Sequence, residues 1–197
     1  MSIHVGITGG IGSGKTTICQ IFECIGIPVY YADDRAKQLM VEDDQLRQAI
    51  RLTFGEESYA ENGQLNRTYL ANIVFKNPEQ LRQLNALVHP AVFQDGIDWQ
   101  AKHTNAPYTL KEAALLYESG SFRSLDKMIC VYAPKKLRLE RVMNRDSVSR
   151  EVVQARMNKQ MADREKMMLS NFVITNNGEN ALVEQVLQIH RTLTQRT

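Results

Sequence analysis

No stretch of the 197-residue chain approaches the roughly 20 consecutive apolar residues of a membrane-spanning helix, which argues against a helical membrane protein. No basic segment followed by an apolar run stands at the N-terminus, so nothing directs export and the expected location is cytoplasmic. Cysteine is scarce: Cys19, Cys24 and Cys130 are odd in number and form no C-x-x-C, which suits a reducing compartment and argues against a cysteine metal site. The net charge of +2 is too small to attract nucleic acid by itself. Internal repeats, low-complexity tracts and flexible linkers are missing, so the chain reads as one domain with inserted elements. With 43% hydrophobic and 23% charged residues, it has the composition of an ordinary folded protein.

Glycine, by contrast, is concentrated in one place, the stretch "HVGITGGIGSGKTTICQIF" at residues 4–22. The run before it is apolar and β-branched and predicts a short buried strand at 3–8. Beyond it Ile18, Ile21, Phe22 and Ile25 recur at helical spacing until Gly26-Ile27-Pro28 stops the pattern. Between strand and helix, Gly9, Gly14, Lys15 and Thr16 fit G-x-x-x-x-G-K-[ST], a loop that wraps phosphate with successive backbone N–H groups. In such a loop Lys15 reaches the β- and γ-phosphates and Thr16 places its hydroxyl on Mg²⁺. The helix N-terminus adds partial positive charge. A GTP-dependent switch commonly carries N-K-x-D; the nearest strings here, "NRDS" and "NKQM", lack the lysine or the aspartate.

Apolar stretches at 3–8, 28–32, 113–117, 128–133 and 172–175 predict five strands, with helical patterns between them, hence a doubly wound α/β core. Residues 34–110 are mostly helical in period, with a turn at Glu61-Asn62-Gly63, and predict an inserted substrate region; the core then occupies about 1–33 and 111–197. In open parallel sheets, ligands sit past the carboxyl ends of the strands. There the chain places Asp33 and Asp34 after the second strand and Glu118 after the third. Each carboxylate can bind metal through water or take a proton; equally, Asp34 reads as a helix N-cap, and Glu118 beside Ser119-Gly120 as part of a turn. Asn85 and His89 lie four apart on one predicted helix, which Pro90 is expected to end or redirect. From Lys135 to Lys166 there are ten Lys or Arg against five Asp or Glu. Arg138, Arg141 and Arg145 form one stripe, and a second helix carries Arg156, Gln160 and Arg164. Such a pair of basic helices, about 138–165, has the form of a lid that brings guanidinium groups over a triphosphate and excludes water.

Taken together, "GITGGIGSGKTT", "YADDRAKQLM", "LNALVHP", "LLYE", "LERVMNRD", "RMNKQ" and "NFVITNNG" resemble the bacterial dephospho-coenzyme A kinase family in order along nearly the whole chain. The phosphate loop is shared by many enzymes; "L-N-x-x-x-H-P" and the lid spacing are the specific part. The resemblance implies a P-loop NTPase fold of the nucleoside-monophosphate-kinase type: a five-stranded parallel sheet flanked by helices, with a helical substrate insert and a helical lid. It implies transfer of the γ-phosphoryl of ATP, with Mg²⁺, to the ribose 3′-hydroxyl of dephospho-CoA. Residue by residue, it assigns Gly9, Gly10, Ile11, Gly12, Ser13, Gly14, Lys15, Thr16 and Thr17 to ATP, with Thr16 on the metal. Lys15, Asp33 and Arg141 take catalytic roles, and Arg145 lies toward the nucleotide. Thr8, Asp33, Asn85, His89 and Glu118 fall at positions near the acceptor. Four positions depart from the family pattern: Tyr31 for the first Asp of D-A-D, Ala114 for Pro, Arg138 for Gln, and Ser170-Asn171 for Ala-Asp. Another small-molecule kinase on the same fold would share the loop and lid, and only the insert motifs argue against it.

Overall fold

The computed structural model describes residues 3–195. Its strands are β1 (Ile3–Thr8), β2 (Val29–Tyr31), β3 (Tyr108–Glu112), β4 (Lys127–Tyr132) and β5 (Phe172–Thr175), all paired in parallel in the order β2-β3-β1-β4-β5. β1 is central because Val5 and Ile7 are fully buried and its backbone bonds on both sides, with Val5 opposite both Leu110 and Lys127. Against the sheet lie α1 (Lys15–Cys24) and α9 (Leu182–Thr194). Ile18 and Phe22 from α1 and Val186, Ile189 and Leu193 from α9 pack with Val5, Leu110, Ile129, Val131 and Ile174 in one core. Fully burying side chains of this size contributes roughly 1.5–3 kcal/mol each.

The third strand is not where the apolar run placed it. β3 is "YTLKE", and Ala114–Tyr117 form turns instead, with Leu116 and Tyr117 buried. The polar residues of β3 are accommodated one by one. Thr109 Oγ1 meets His4 Nδ1 at 3.0 Å, the Lys111 ammonium lies 5.9 Å from the centre of the Tyr30 ring, and Glu112 faces Lys15. The other four strands lie within one residue of their predicted ends.

The chain divides into two compact units, Met1–Tyr31 with His103–Thr197, and Ala32–Lys102. The second is built from α2 (Ala32–Glu42), α3 (Asp44–Phe54), α4 (Arg67–Val74) and α5 (Pro78–Ala101) around Leu39, Leu46, Ile50, Phe54, Tyr59, Leu70, Val74 and Val88. Three of these helices begin on side-chain caps. Asp43 accepts from Leu46 N, Asn66 from Tyr69 N, and Asn77 from Glu79 N with Pro78 following. Asp34 is not a cap: α2 starts before it, and its carboxylate accepts from Lys37 on the exposed face. Pro90 does not end its helix either; α5 runs through it to Ala101. Pro90 has no N–H for the Ala86 carbonyl, but Ala86 is exposed, which leaves that acceptor open to solvent, while Leu84, Leu87, Val88 and Val92 hold both halves on one core.

In the first unit the chain continues from β4 through α6 (Lys135–Asp146), α7 (Arg150–Met157) and α8 (Asp163–Leu169) to β5. Leu139, Val142, Val153 and Met157 make a small core of their own, joined by Ile11 of the glycine loop.

Candidate active site

The loop after β1 closes on itself and on two other elements. Ser13 N donates to Gly10 O at 3.0 Å, and Gly14 takes a left-handed φ of 92°, from which α1 starts. A Cβ on Gly14 would overlap Asn176 Nδ2, so glycine is required there for shape as well as conformation. Asn176, just past β5, is buried and anchored by its own N–H on Tyr132 O at 2.7 Å; its Nδ2 donates to Ser13 O at 2.9 Å. Arg141 Nη2 donates in turn to Asn176 Oδ1 at 3.1 Å, and Nη1 lies 3.5 Å from Gly12 O and 3.4 Å from Asn176 O. The arginine is therefore held along the rim of the phosphate loop. Asn176 went unremarked in the sequence although it stands inside the quoted "NFVITNNG"; its role depends on a fold that returns it to residue 13.

The lysine also has an organised place. Lys15 Nζ donates to Gly9 O at 3.2 Å and lies 3.7 Å from Glu112 Oε1, with both side chains almost entirely buried. Glu112 is the last residue of β3, beside β1, and puts a carboxylate at the C-terminal end of the third strand. Thr16 and Thr17 are exposed in the first turn of α1, where helical N–H groups have no partner within the helix, and no acidic side chain competes there. Among the described residues no group of three His, Cys, Asp or Glu could hold a metal by itself. Mg²⁺ on a nucleotide does not need one. Phosphate oxygens and water supply most of its six positions, and one hydroxyl and one nearby carboxylate complete them, which the Thr16 and Glu112 donor set fits.

Several expected contacts are otherwise engaged. Thr8 is fully buried, and its hydroxyl donates to Ala114 O at 3.3 Å, tying β1 to the turn after β3. Glu118 is an anchor: its Oε1 accepts from the fully buried Lys166 Nζ at 2.8 Å and from Met161 N at 2.9 Å, and Lys166 also donates to Ala114 O. The basic stripe is not short of acidic partners. Arg138 pairs with Asp163, and both Arg145 and Arg156 pair with Asp146 at the end of α6. In the helical unit Asp33 is exposed in the first turn of α2, directly after β2 in the chain, and Asn85 and His89 share one face of α5, half-buried and exposed respectively. Tyr31, where the family pattern has an acid, donates to Glu23 Oε2 at 3.0 Å.

The Glu118 anchor has a measurable pH signature. Burial works to raise its pKa, but the Lys166 ammonium and the N–H groups it accepts from outweigh this and hold it below the usual carboxylate range. A folded-state pKa below the unfolded one makes the contribution complete above the unfolded value and removes it as pH falls through the folded value. Glu118→Gln should cost about 1–2 kcal/mol at pH 7 in urea unfolding, and the gap should close as pH falls from about 5 to 3. An equal gap at both ends would show that the carboxylate charge plays no part.

A glycine loop on the carboxyl end of a central parallel strand, a lysine within it and an arginine along its rim define a P-loop kinase. A family model for dephospho-CoA kinase matches residues 3–181. The dephospho-CoA kinase of Bacteroides fragilis is 37% identical over 196 residues, 100% of this chain and 95% of its own. Two solved structures share the architecture along almost their whole length. A Thermus thermophilus protein superposes with a TM-score of 0.85 at 34% identity, covering 97% of both chains. Dephospho-CoA kinase from Campylobacter jejuni gives 0.73 at 26%, covering 99% of this chain and 98% of its own. The chain belongs to the dephospho-CoA kinase family.

Proposed function

We propose that the chain moves the γ-phosphoryl of ATP to the ribose 3′-hydroxyl of dephospho-CoA, giving CoA and ADP, with Lys15, Arg141 and Asp33 as its principal groups. The observation that carries the assignment of the nucleotide is the loop itself, with its lysine and rim arginine in place. The residues from Gly9 to Thr17 wrap the β- and γ-phosphates through N–H groups, and Lys15 adds the charge that grows on the transferring oxygens. Thr16 and Glu112 would hold Mg²⁺, which would supply charge neutralisation at the β- and γ-phosphoryl groups. Arg141 supports the γ-phosphoryl as it leaves. Asp33, exposed two residues beyond β2, orients the attacking hydroxyl and accepts its proton. Asn85 and His89 serve the acceptor, supported by their shared face on α5.

Small-molecule substrates fit a chain of net charge +2 in which, among the described residues, no helix is long and apolar enough to cross a membrane. Three free cysteines support a cytoplasmic location.

The test is coupled ADP release with dephospho-CoA against AMP, adenosine and shikimate. Turnover with dephospho-CoA no better than with AMP refutes the acceptor. Within the site, Arg141→Ala should lower kcat by about 10²–10³-fold while ATP affinity changes only a few-fold, the pattern of a charge that acts mainly in the transition state. Equal losses in kcat and affinity would instead make Arg141 a ground-state phosphate ligand.

A further inference from the structure

Arg138 stands where the family pattern has Gln, and it is 5% exposed. Its guanidinium enters the glycine loop from outside: Nη1 lies 3.4 Å from Ile11 O, and Nη2 pairs with Asp163 at the start of α8. From the opposite side of the same residue, Ile11 N donates to Gln160 Oε1 at 2.8 Å, while the Ile11 side chain packs against the core of α6 and α7. Both peptide groups and the side chain of the loop apex are thus gripped by the segment 138–163. Gly10 leaves the room for this, because a Cβ there would overlap Arg138 Nη1 and come within 2.9 Å of Asp163 Oδ1.

A buried guanidinium is poor value for stability, since the cost of removing the charge from water offsets most of what its carboxylate returns. Nε of Arg138 is buried without an acceptor among the described residues, which adds to that cost. Position is the better reason for keeping it. A phosphate loop binds tightly only when its N–H groups already point inward, and ordering them at the moment of binding subtracts from affinity.

We propose that Arg138 is a positioning residue for the nucleotide: by clamping the Ile11 carbonyl to Asp163 it presets the apex of the loop in its phosphate-receptive shape. The proposal rests on the assignment of ATP to this loop. It also makes the root of the basic helices, from Arg138 to Asp163, a fixed part of the phosphate site.

The experiment is calorimetric binding of MgADP to the full chain, with KM for both substrates and thermal melting, in the wild type, Arg138→Gln and Asp163→Asn. Arg138→Gln should weaken MgADP and raise KM for ATP about tenfold, the size of one hydrogen bond to a charged group, and leave KM for dephospho-CoA within about twofold. Asp163→Asn keeps the guanidinium and the shape, and should give a smaller loss in the same direction. Gly10→Ala should weaken MgADP strongly in the wild type and add less in the Arg138→Gln background, because the nearer of its two clash partners is gone and only Asp163 Oδ1 remains. MgADP affinity unchanged in Arg138→Gln, or both KM values and the melting temperature moving together, overturns the proposal. Should Arg138→Gln not fold, unchanged affinity in Asp163→Asn overturns it. A wild type that binds MgADP but does not phosphorylate dephospho-CoA would refute the acceptor while leaving the clamp measurable.

Discussion

Lys15→Ala should lower phosphoryl transfer by about 10³-fold or more, with a melting temperature within a few degrees of the wild type. Lys15 Nζ is already stationed on the loop, donating to Gly9 O beside the Glu112 carboxylate, so the charge reaches the phosphates without a search through rotamers. Its alkyl stem fills no core: the packing of α1 rests on Ile18, Cys19 and Phe22. Removal therefore costs charge at the reacting group, and what the fold loses is a side-chain contact with the Glu112 carboxylate rather than a member of the core. Thr16→Ala should act in the same sense through the metal, again with the fold intact, since Thr16 is exposed. Steady-state rates beside thermal melting decide the matter. Near-normal turnover in Lys15→Ala would mean that this loop is not the working phosphate site.

Asp33→Asn should keep ATP binding and stability but lose roughly 10²–10⁴-fold in kcat, the span of a positioned acid–base group. Stability is spared because Asp33 is exposed in the first turn of α2; its favourable interaction with the helix N-terminus contributes less than about 1 kcal/mol. Tyr31 donates its hydroxyl to Glu23, so Asp33 is the one acid of the pair that the family pattern has, while the next carboxylate, Asp34, accepts from Lys37. Raising Mg²⁺ should not restore the rate. Rescue by excess Mg²⁺ would move Asp33 into the metal's surroundings, and a barely reduced rate at any Mg²⁺ level would leave it no catalytic part.

The residues legible in the sequence were those whose signal is local. The glycine loop declares itself in eight consecutive positions, and four strands announce themselves as apolar β-branched runs between turn residues. β3 escaped because Thr109, Lys111 and Glu112 are buried through partners far away in the chain, His4, Tyr30 and Lys15, while the more apolar "ALLY" next to it forms turns. That displacement also hid Glu112, while the Glu118 carboxylate is held by Lys166 and by Met161 N. Thr8 and Arg145 match a motif, but a motif records residue type and not direction: the Thr8 hydroxyl turns to Ala114 O, and Arg145 turns to Asp146. Pro90 shows a local rule yielding to packing, since α5 is held on both sides of it by a shared core.

The pairing of β1 bears on how the chain is made. Both neighbours of the central strand are encoded late: His4 opposes Thr109 across a sequence separation of 105 residues, and β4 comes later still. At ribosomal rates of 5–20 residues per second, β1 and the phosphate loop wait roughly 5–20 s for their first partner strand. The helices of Ala32–Lys102 are complete in that interval, with caps and a core drawn wholly from within their own stretch. Synthesis thus delivers the helical insert as a finished body while Val5 and Ile7, the most deeply buried residues of the strand that founds the sheet, are still unpaired apolar chain. The nascent protein is most vulnerable to aggregation at its catalytic end, and a released chain ending near residue 105 should resist protease in α2–α5 and be cut freely between residues 3 and 31.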